Sequence, residues 1–591
     1  MTKSTSDSQE AARSRATAGI ARGAGLIAGL TLVARIFGLV RTLAFSQTVG
    51  ATCLGTAYFT ANQVPNLVYE LVLGGALGSA MVPVLARSAE RARTDAAERA
   101  QVGQILSALL TWTVVLLVPL TLVVVAAAAP IASLLNPANP SAGCGHAELV
   151  ATTATMLRIF APQAVLYGLT VVLFGLLQAY RRFAGYALSP LISSFVLIAS
   201  YIAFAPLGRG LPLSKLPASA QLVLSGGATA GVAAMVIVGL VPTLRLHLRL
   251  RPTLSLPPGI ARRAGGLVTV GMIEMVVQQI AGVAVVTLAN GRGDTGALVL
   301  FNYASQVFNS LNSVLALSIV LSAFPVLSAR DGDVFDRTCA GSTRAIVLVA
   351  SLGIAVTGAI AVPAAHVLAG QPDQVSQLIL GFALFAPGLI GAGVLANLTR
   401  AMLAVGHLRE SAIVVGGSSL LAALAQVVLA LLVPPHLVVA VLALGSTIGY
   451  TGAAIPAVIF TRRIRGRPAV RGVSRATLAG LAAAAAGVAV GVVVSVALPE
   501  GNKLLDVLVG TLASVAAIIV FAGVAYLLDG GDLTALAARL RKLAGQLRAG
   551  RGGRRSIAAA LREGGEDSPG ADPLAPTLTQ AGEPFRPTER G

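Results

Sequence analysis

Fourteen stretches of this chain are apolar for long enough to cross about 30 Å of hydrocarbon, which takes roughly 20 residues of helix. They lie near residues 24–46, 57–82, 104–129, 152–178, 185–206, 219–243, 265–289, 297–324, 345–369, 376–399, 411–433, 437–460, 476–498 and 505–527. In lipid, every backbone polar group must be satisfied within its own segment or by a closed barrel, and nothing here alternates as barrel strands do. The spans are therefore expected to be helices. A mean hydropathy of +0.81, with 55% hydrophobic and 11% charged residues over 591 positions, supports the same reading. The fold class expected is an all-α polytopic membrane protein of about fourteen transmembrane helices.

Basic residues set the orientation. The net charge is +19, and among 43 basic residues only Lys3, Lys215, Lys503 and Lys542 are lysine. With a cytoplasmic N-terminus, the inner loops hold Arg87, Arg91, Arg93 and Arg99, then Arg181 and Arg182, Arg245 through Arg263, Arg330, Arg337 and Arg344, Arg400 and Arg409, and Arg462 through Arg475. The outer loops hold only Arg209, Lys215, Arg292 and Lys503. This asymmetry predicts both termini inside. It also accounts for the basic pI without nucleic acid as a partner. Cys53, Cys144 and Cys339 are too few and too scattered for a disulfide framework or a metal site, so a Cys53–Cys144 bridge is not expected.

An internal repeat divides the chain. Val82-Pro83-Val84-Leu85 is echoed by Phe324-Pro325-Val326-Leu327, and Phe59 by Phe301, at a constant offset of 242. Spans 1–6 and 7–12 then form two six-helix lobes in pseudo-repeat, with two further C-terminal helices, an arrangement that in transporters places the substrate between lobes. The expected division is a cytoplasmic tail at 1–23, an N-lobe at 24–244, a C-lobe with its leading loop at 245–461, spans 13 and 14 with a basic loop at 462–528, and a tail at 529–591. In that last tail Leu533, Leu536, Leu540, Leu543 and Leu547 make one helical stripe beside Arg539, Lys542 and Arg548, suited to an anionic membrane surface; a coil partner is the rival reading. Beyond Glu563 the composition is that of a disordered segment.

Charges inside the spans are the candidate functional groups. Arg35 and Arg41 lie in span 1, where an arginine at the bilayer centre costs about 3 kcal/mol on insertion scales. Six residues separate them by about 9 Å along the axis and about 120° around it. Glu70 lies at a depth similar to Arg35 on the returning span 2. Two readings of Arg35 stay open: a neutralising pair with Glu70, or fork donors for phosphate oxygens. Arg41 has no local carboxylate and is read as an anion contact. Glu274, Gln278 and Gln279 on span 7 either line the cavity, carry a coupling ion or make structural hydrogen bonds. Arg158 and His366 lie near outer ends, where water or headgroups reach them. Pro65 and Gly74-Gly75 allow span 2 to bend or pack closely. No zinc spacing, nucleotide loop or nucleophile elbow is present, so a transporter is expected instead of an enzyme, with no cofactor and no ATP-driven pumping.

Arg35-Ile-Phe-Gly-Leu-Val-Arg41, with Gly50-Ala51, Ala57-Tyr58-Phe59, Val64-Pro65-Asn66-Leu67 and Val82-Pro83-Val84-Leu85, resembles the MurJ (MviN) family of lipid II flippases in the multidrug/oligosaccharidyl-lipid/polysaccharide (MOP) exporter superfamily. The likeness continues through Leu177-Gln178-Ala179-Tyr180-Arg181-Arg182-Phe183, Ser189-Pro190-Leu191 and Gly406-His407-Leu408-Arg409, covering about residues 24–530. It implies a central cationic cavity for a pyrophosphate and sugar, and a groove on spans 13 and 14 for a polyprenyl tail. Arg35 and Arg41 match the family's span 1 arginines. Thr56 stands where an acid is expected, and Tyr69 and Gln306 stand where arginines are expected, which makes this cavity less cationic.

The implied function is translocation of an undecaprenyl-pyrophosphate-linked peptidoglycan precursor, lipid II, from inner to outer leaflet of the bacterial cytoplasmic membrane by alternating access. Partners would be that lipid-linked glycan, membrane lipids and cell-wall synthesis proteins. The alternatives are a cation-coupled exporter of amphipathic small molecules or of another polyprenyl-linked glycan, with Glu70 and Glu274 carrying the coupling, and a non-transporting scaffold that depends on the C-terminal tail.

Overall fold

The computed structural model describes residues 33–71, 95–180, 182, 184–255, 260–329, 332–498 and 502–530, with backbone alone for 71, 142, 184, 186, 187 and 260–274. The echo at Val82, Gly74-Gly75, both tails and the amphipathic stripe lie outside these residues. Helix follows helix, and no strand occurs among the described residues. The N-terminal half holds α1 (33–48), α2 (Cys53–Leu71), α3 (Ala96–Ala126), a short α4 (Ala128–Leu135), α5 (His146–Phe160), α6 (Gln163–Ala179), α7 (Ala184–Gly208) and α8 (Ala218–Leu244). The second half holds α9 (Ile260–Arg292), α10 (Ala297–Asn312), α11 (Ser318–Ala329), α12 (Gly332–Leu368), α13 (Pro372–Phe385), α14 (Gly388–Ala404), α15 (Leu408–Leu432) and α16 (Val438–Arg465). Then come α17 (Val473–Ala497) and α18 (Lys503–Gly530).

Eleven spans are long and apolar enough to cross a membrane among the described residues. The chain is thus a multi-pass membrane protein. Helices α1, α2 and α9 occupy the places expected for spans 1, 2 and 7 without meeting that measure of length and hydropathy.

Burial follows the logic of a protein dissolved in lipid. Large side chains point outward, including Leu122, Leu432 and Leu527 at 63%, 76% and 82% exposure, while small residues fill helix contacts. On α17 the stripe Gly480, Ala484, Gly487, Gly491 and Ser495 turns toward α12. A Cβ at Gly491 would fall 2.3 Å from that of Ala359, and the Ser495 hydroxyl donates to the Ala359 carbonyl at 3.0 Å. Small residues let backbones approach where no hydrophobic effect drives helices together.

The two lobes share a detail absent from the sequence reading. Between α5 and α6 the helix breaks at Phe160-Ala161-Pro162, and between α13 and α14 it breaks at Phe385-Ala386-Pro387. The fourth span of each lobe is therefore interrupted by the same triplet, because proline cannot donate the backbone hydrogen bond that would continue the turn. Phe59 and Phe301 pack against the same two buried clusters, as expected of repeat-related residues at the lobe seam.

One expectation is corrected. Cys53 and Cys144 are joined, with Cα atoms 5.8 Å apart across 91 residues. Counting cysteines missed this because the pair is brought together by tertiary structure: α2 packs along α5, and the loops preceding each meet at one end. At that end the lobes are tied. Asn290 Nδ2 donates to Thr60 Oγ1 and the Leu135 carbonyl, both at 2.9 Å, and Asn139 Nδ2 donates to the Asn290 and Gly293 carbonyls at 3.0 and 2.7 Å. Gln374 reaches the Ala51 carbonyl at 2.8 Å, Gln47 reaches the Val367 carbonyl at 2.7 Å, and Lys503 donates to Gln47. The largest buried cluster runs through both lobes here, from Phe45, Tyr58 and Phe160 to Tyr303, Phe308 and Phe382.

At the opposite end, among the described residues, α3 is tied to the loop that leads into the C-lobe, and the C-lobe is tied within itself. Arg251 and Trp112 fix the segment after α8 along α3, while Arg465 meets Asp336 at 3.2 Å and lies over the Phe335 ring. Of the buried clusters at that end, one gathers α3, α6 and the loop after α8, and the other gathers C-lobe helices with Ala476 of α17.

Candidate functional site

Helix α1 carries Arg35 and Arg41 along the seam between lobes. Gly38 is buried, and a Cβ placed on it would sit 3.4 Å from Gln306 Nε2 on α10. Arg35 and Arg41 lie three residues either side of Gly38, hence about 60° to each side of the direction it faces. Both guanidinium-bearing residues are half-buried. They straddle the face that α1 turns toward the other lobe, with the Gln306 amide between them in height. Gln306 itself donates to Ser310 Oγ at 3.4 Å.

Helix α2 presents a matching stripe. Phe59, Gln63, Asn66 and Glu70 recur at helical spacing, so they share one face. Gln63 Nε2 lies 3.5 Å from a Cβ placed on Gly282 of α9, and Glu70 Oε2 accepts from Gln279 Nε2 at 2.5 Å. The seam thus contains reciprocal contacts: each lobe's second span sets a glutamine against a glycine of the other lobe's first span.

The neutralising pair, one of the two open readings of Arg35, is not formed: Glu70 is exposed and bonded to Gln279, and no Arg35–Glu70 ion pair occurs among the described residues. On α9 it is Gln279, buried, that reaches across; Gln278 is about 100° away and exposed. The Glu274 side chain lies outside the described residues. Arg158 is exposed on α5, and His366 is half-buried near the end of α12.

Near Arg41 lies an aromatic cluster that the sequence reading missed. Phe45, one turn further along α1, has its ring centroid 5.2 Å from those of both Tyr58 and Tyr201. Tyr58 and Tyr201 are core residues whose hydroxyls meet at 3.1 Å. Tyr167 donates to Asn66 Oδ1 at 3.3 Å, and its ring centroid lies 4.5 Å from that of Tyr69. The helical spacing of Gln63, Asn66 and Glu70 was the available signal for this face; the tyrosines on α6 and α7 gave none, because only tertiary packing brings them to α2.

Chemically, two guanidiniums with an amide between them can act on a compact anion. The nearby carboxylate, Glu70, is bonded to Gln279, and no ion pair of Arg35 or Arg41 occurs among the described residues.

A family profile described as "Lipid II flippase MurJ" matches residues 45–523. The chain is 29% identical over 245 residues to the probable lipid II flippase MurJ of Synechocystis sp., covering 40% of this chain and 43% of that protein. It is 26% identical over 306 residues to the lipid II flippase MurJ of Burkholderia cenocepacia, covering 51% and 56%. The chain thus spans about half the length of these curated relatives. Among solved structures, an inward closed lipid II flippase MurJ aligns with a TM-score of 0.66 at 17% identity, over 85% of this chain and 98% of that one. An inward-facing MATE family transporter of the MOP superfamily aligns at 0.59 and 17%, over 75% and 98%. The fold is the one these transporters share, and with most of its length matched by the profile the chain belongs to the lipid II flippase MurJ family.

Proposed function

We propose that this protein flips an undecaprenyl-pyrophosphate-linked peptidoglycan precursor, lipid II, from the inner to the outer leaflet of the bacterial cytoplasmic membrane by alternating access, as a transporter and not an enzyme. The observation that carries this reading is the placement of Arg35 and Arg41 astride Gly38 on the face α1 turns to the opposite lobe. A pyrophosphate entering the seam would meet fork donors from two heights about 9 Å apart along the helix, with Gln306 between. Charges that cost about 3 kcal/mol each in hydrocarbon are then offset by a dianion whenever substrate is bound.

The same reading has both termini inside. It is supported by the described arginine-rich loops, which lie at the end opposite the Cys53–Cys144 bridge, since disulfides persist on the oxidising outer face. With the lobes tied at the disulfide end, the conformation supports substrate entry from the cytoplasmic side. Cell-wall synthesis proteins are proposed as neighbours of the exported product.

Complementation tests the reading. A cell depleted of its own flippase should be rescued by the native chain, and rescue should fall sharply with Arg41→Ala and partly with Arg41→Lys, which keeps charge but loses the fork. Full rescue by Arg41→Ala removes the assigned role. Drug efflux abolished by Glu274→Gln, with precursor export untouched, favours the cation-coupled exporter instead.

A further inference from the structure

Tyr69 and Tyr167 are aromatic residues that the core does not fully absorb. Their neighbours Tyr58 and Tyr201 are 2% and 4% exposed and satisfy each other's hydroxyls, whereas both Tyr69 and Tyr167 remain half-buried. Their rings are tilted by 38° at a centroid separation of 4.5 Å, which makes a continuous surface built from two helices.

This surface borders the lobe seam. Asn66, which accepts from the Tyr167 hydroxyl, lies on the α2 stripe between Gln63 and Glu70, and both of those meet α9 of the other lobe. It also lies at the height of the anion site: α1 and α2 run antiparallel with Phe45 against Tyr58 and Phe59 at 5.2 and 5.0 Å, which sets Arg41, one turn before Phe45, level with residues 62–63 of α2 and one turn from Asn66. An aromatic surface and a side-chain amide thus adjoin one another at the height of Arg41. Hexosamine rings have an apolar C–H face and a polar hydroxyl rim, and this combination matches both. In a polyprenyl-pyrophosphoryl glycan the first sugar is bonded directly to the phosphate, so seating the phosphate at Arg41 brings that sugar alongside.

We propose that Tyr69 and Tyr167, with Asn66 at their edge, form the shelf that receives the first sugar of the lipid-linked substrate and select sugar-bearing over bare polyprenyl pyrophosphate. The proposal rests on the flippase reading above and assigns the glycan half of the same site.

The test is a binding titration of the full-length protein in lipid nanodiscs with two ligands, undecaprenyl pyrophosphate and undecaprenyl-pyrophosphoryl-N-acetylhexosamine. The native protein should bind the sugar-bearing ligand more tightly. Tyr69→Leu and Tyr167→Leu should each weaken that ligand roughly tenfold, the scale of one lost aromatic contact, and leave bare undecaprenyl pyrophosphate within about twofold. Tyr69→Phe keeps the ring and should restore sugar binding, which separates a lost shelf from a damaged fold. Arg41→Ala should weaken both ligands alike. Equal losses for the two ligands in the leucine variants, or no loss in either, overturn the shelf. Absence of native binding to both ligands overturns the flippase reading, and the shelf with it.

Discussion

Asn290 is the side chain whose removal should open the disulfide end. It stands in the last turn of α9, 7% exposed, with its amide nitrogen placed against Thr60 Oγ1, the Leu135 carbonyl and, at 3.2 Å, Asn136 Oδ1. All three acceptors belong to the opposite lobe. An amide has two hydrogens, so at most two full bonds form at once. Asn290→Ala removes them and leaves the Leu135 carbonyl and Asn136, itself fully buried, short of a donor. At about 1 kcal/mol net per bond, plus a share of the penalty for stranded acceptors, the closed seam loses about 2–3 kcal/mol. That converts to a shift of roughly 30- to 150-fold in the equilibrium between closed and open seam.

Spin labels on cysteines introduced at the exposed positions Ser141 and Asp373 read that equilibrium as a distance distribution. The native cysteines do not interfere, since Cys53 and Cys144 are bonded and Cys339 is buried. A new, longer distance should appear in Asn290→Ala. Gln426→Ala is the control, because its bonds to the Leu442 carbonyl and Ser446, both at 3.0 Å, lie within one lobe. If both variants lower stability and neither changes the distances, Asn290 is merely a packing residue and the assignment of this end as a gate is wrong.

Three further outcomes follow from the same geometry. Cys53→Ser with Cys144→Ser should lower the melting temperature, and reductant should do so only in the native protein; for a closure spanning 91 residues the chain-entropy scale is about 4.6 kcal/mol, an upper value where bilayer helices persist in the unfolded state. Gly296→Ala should fail to close the seam in the same distance measurement, because φ is +80° there and the added Cβ would lie 2.4 Å from the Ala51 carbonyl oxygen across the lobes. Arg465→Ala should destabilise the C-lobe by about 2–4 kcal/mol by stranding Asp336, whose side chain is 14% exposed, and Arg465→Lys should recover only part of the melting temperature, since one ammonium cannot serve Asp336, the Gly332 carbonyl and the Phe335 face together.

Hydropathy made the spans legible because the bilayer imposes a length and an internal hydrogen-bond rule on each one separately. Loop arginines carry the expectation of sidedness for the same reason: each loop has its own charge. What depends on several segments at once was not legible. Cys53 and Cys144 looked unrelated because nothing in their spacing records that α2 packs on α5. The Phe-Ala-Pro triplets at 160–162 and 385–387 were present in the sequence, yet their offset differs from the 242 that joins Phe59 to Phe301, so a search at one constant offset passed over them. On α9, depth alone could not separate Gln278 from Gln279. The direction of α9 decided it, and that direction is set by packing on α15 and against α2.

On the proposed function, the charges at the seam are met by an occupant from outside the protein. A carboxylate paired to Arg35 would have held that guanidinium in place and used its donors, giving a resting protein indifferent to anions. Instead Glu70 is engaged by Gln279, while Gly38, carrying no side chain, lets Gln306 approach α1 between the two arginines. The amide adds donors at that height without adding charge, so the site keeps two formal positive charges where a third arginine would have made three. Fewer charges bind a pyrophosphate less tightly and release it more readily, which suits a carrier that must let go on the far side, provided that selectivity comes from another part of the ligand. On the shelf proposal Tyr69 and Tyr167 supply it: in this chain Tyr69 stands where the family resemblance leads one to expect an arginine, exchanging charge attraction for a surface that discriminates by shape.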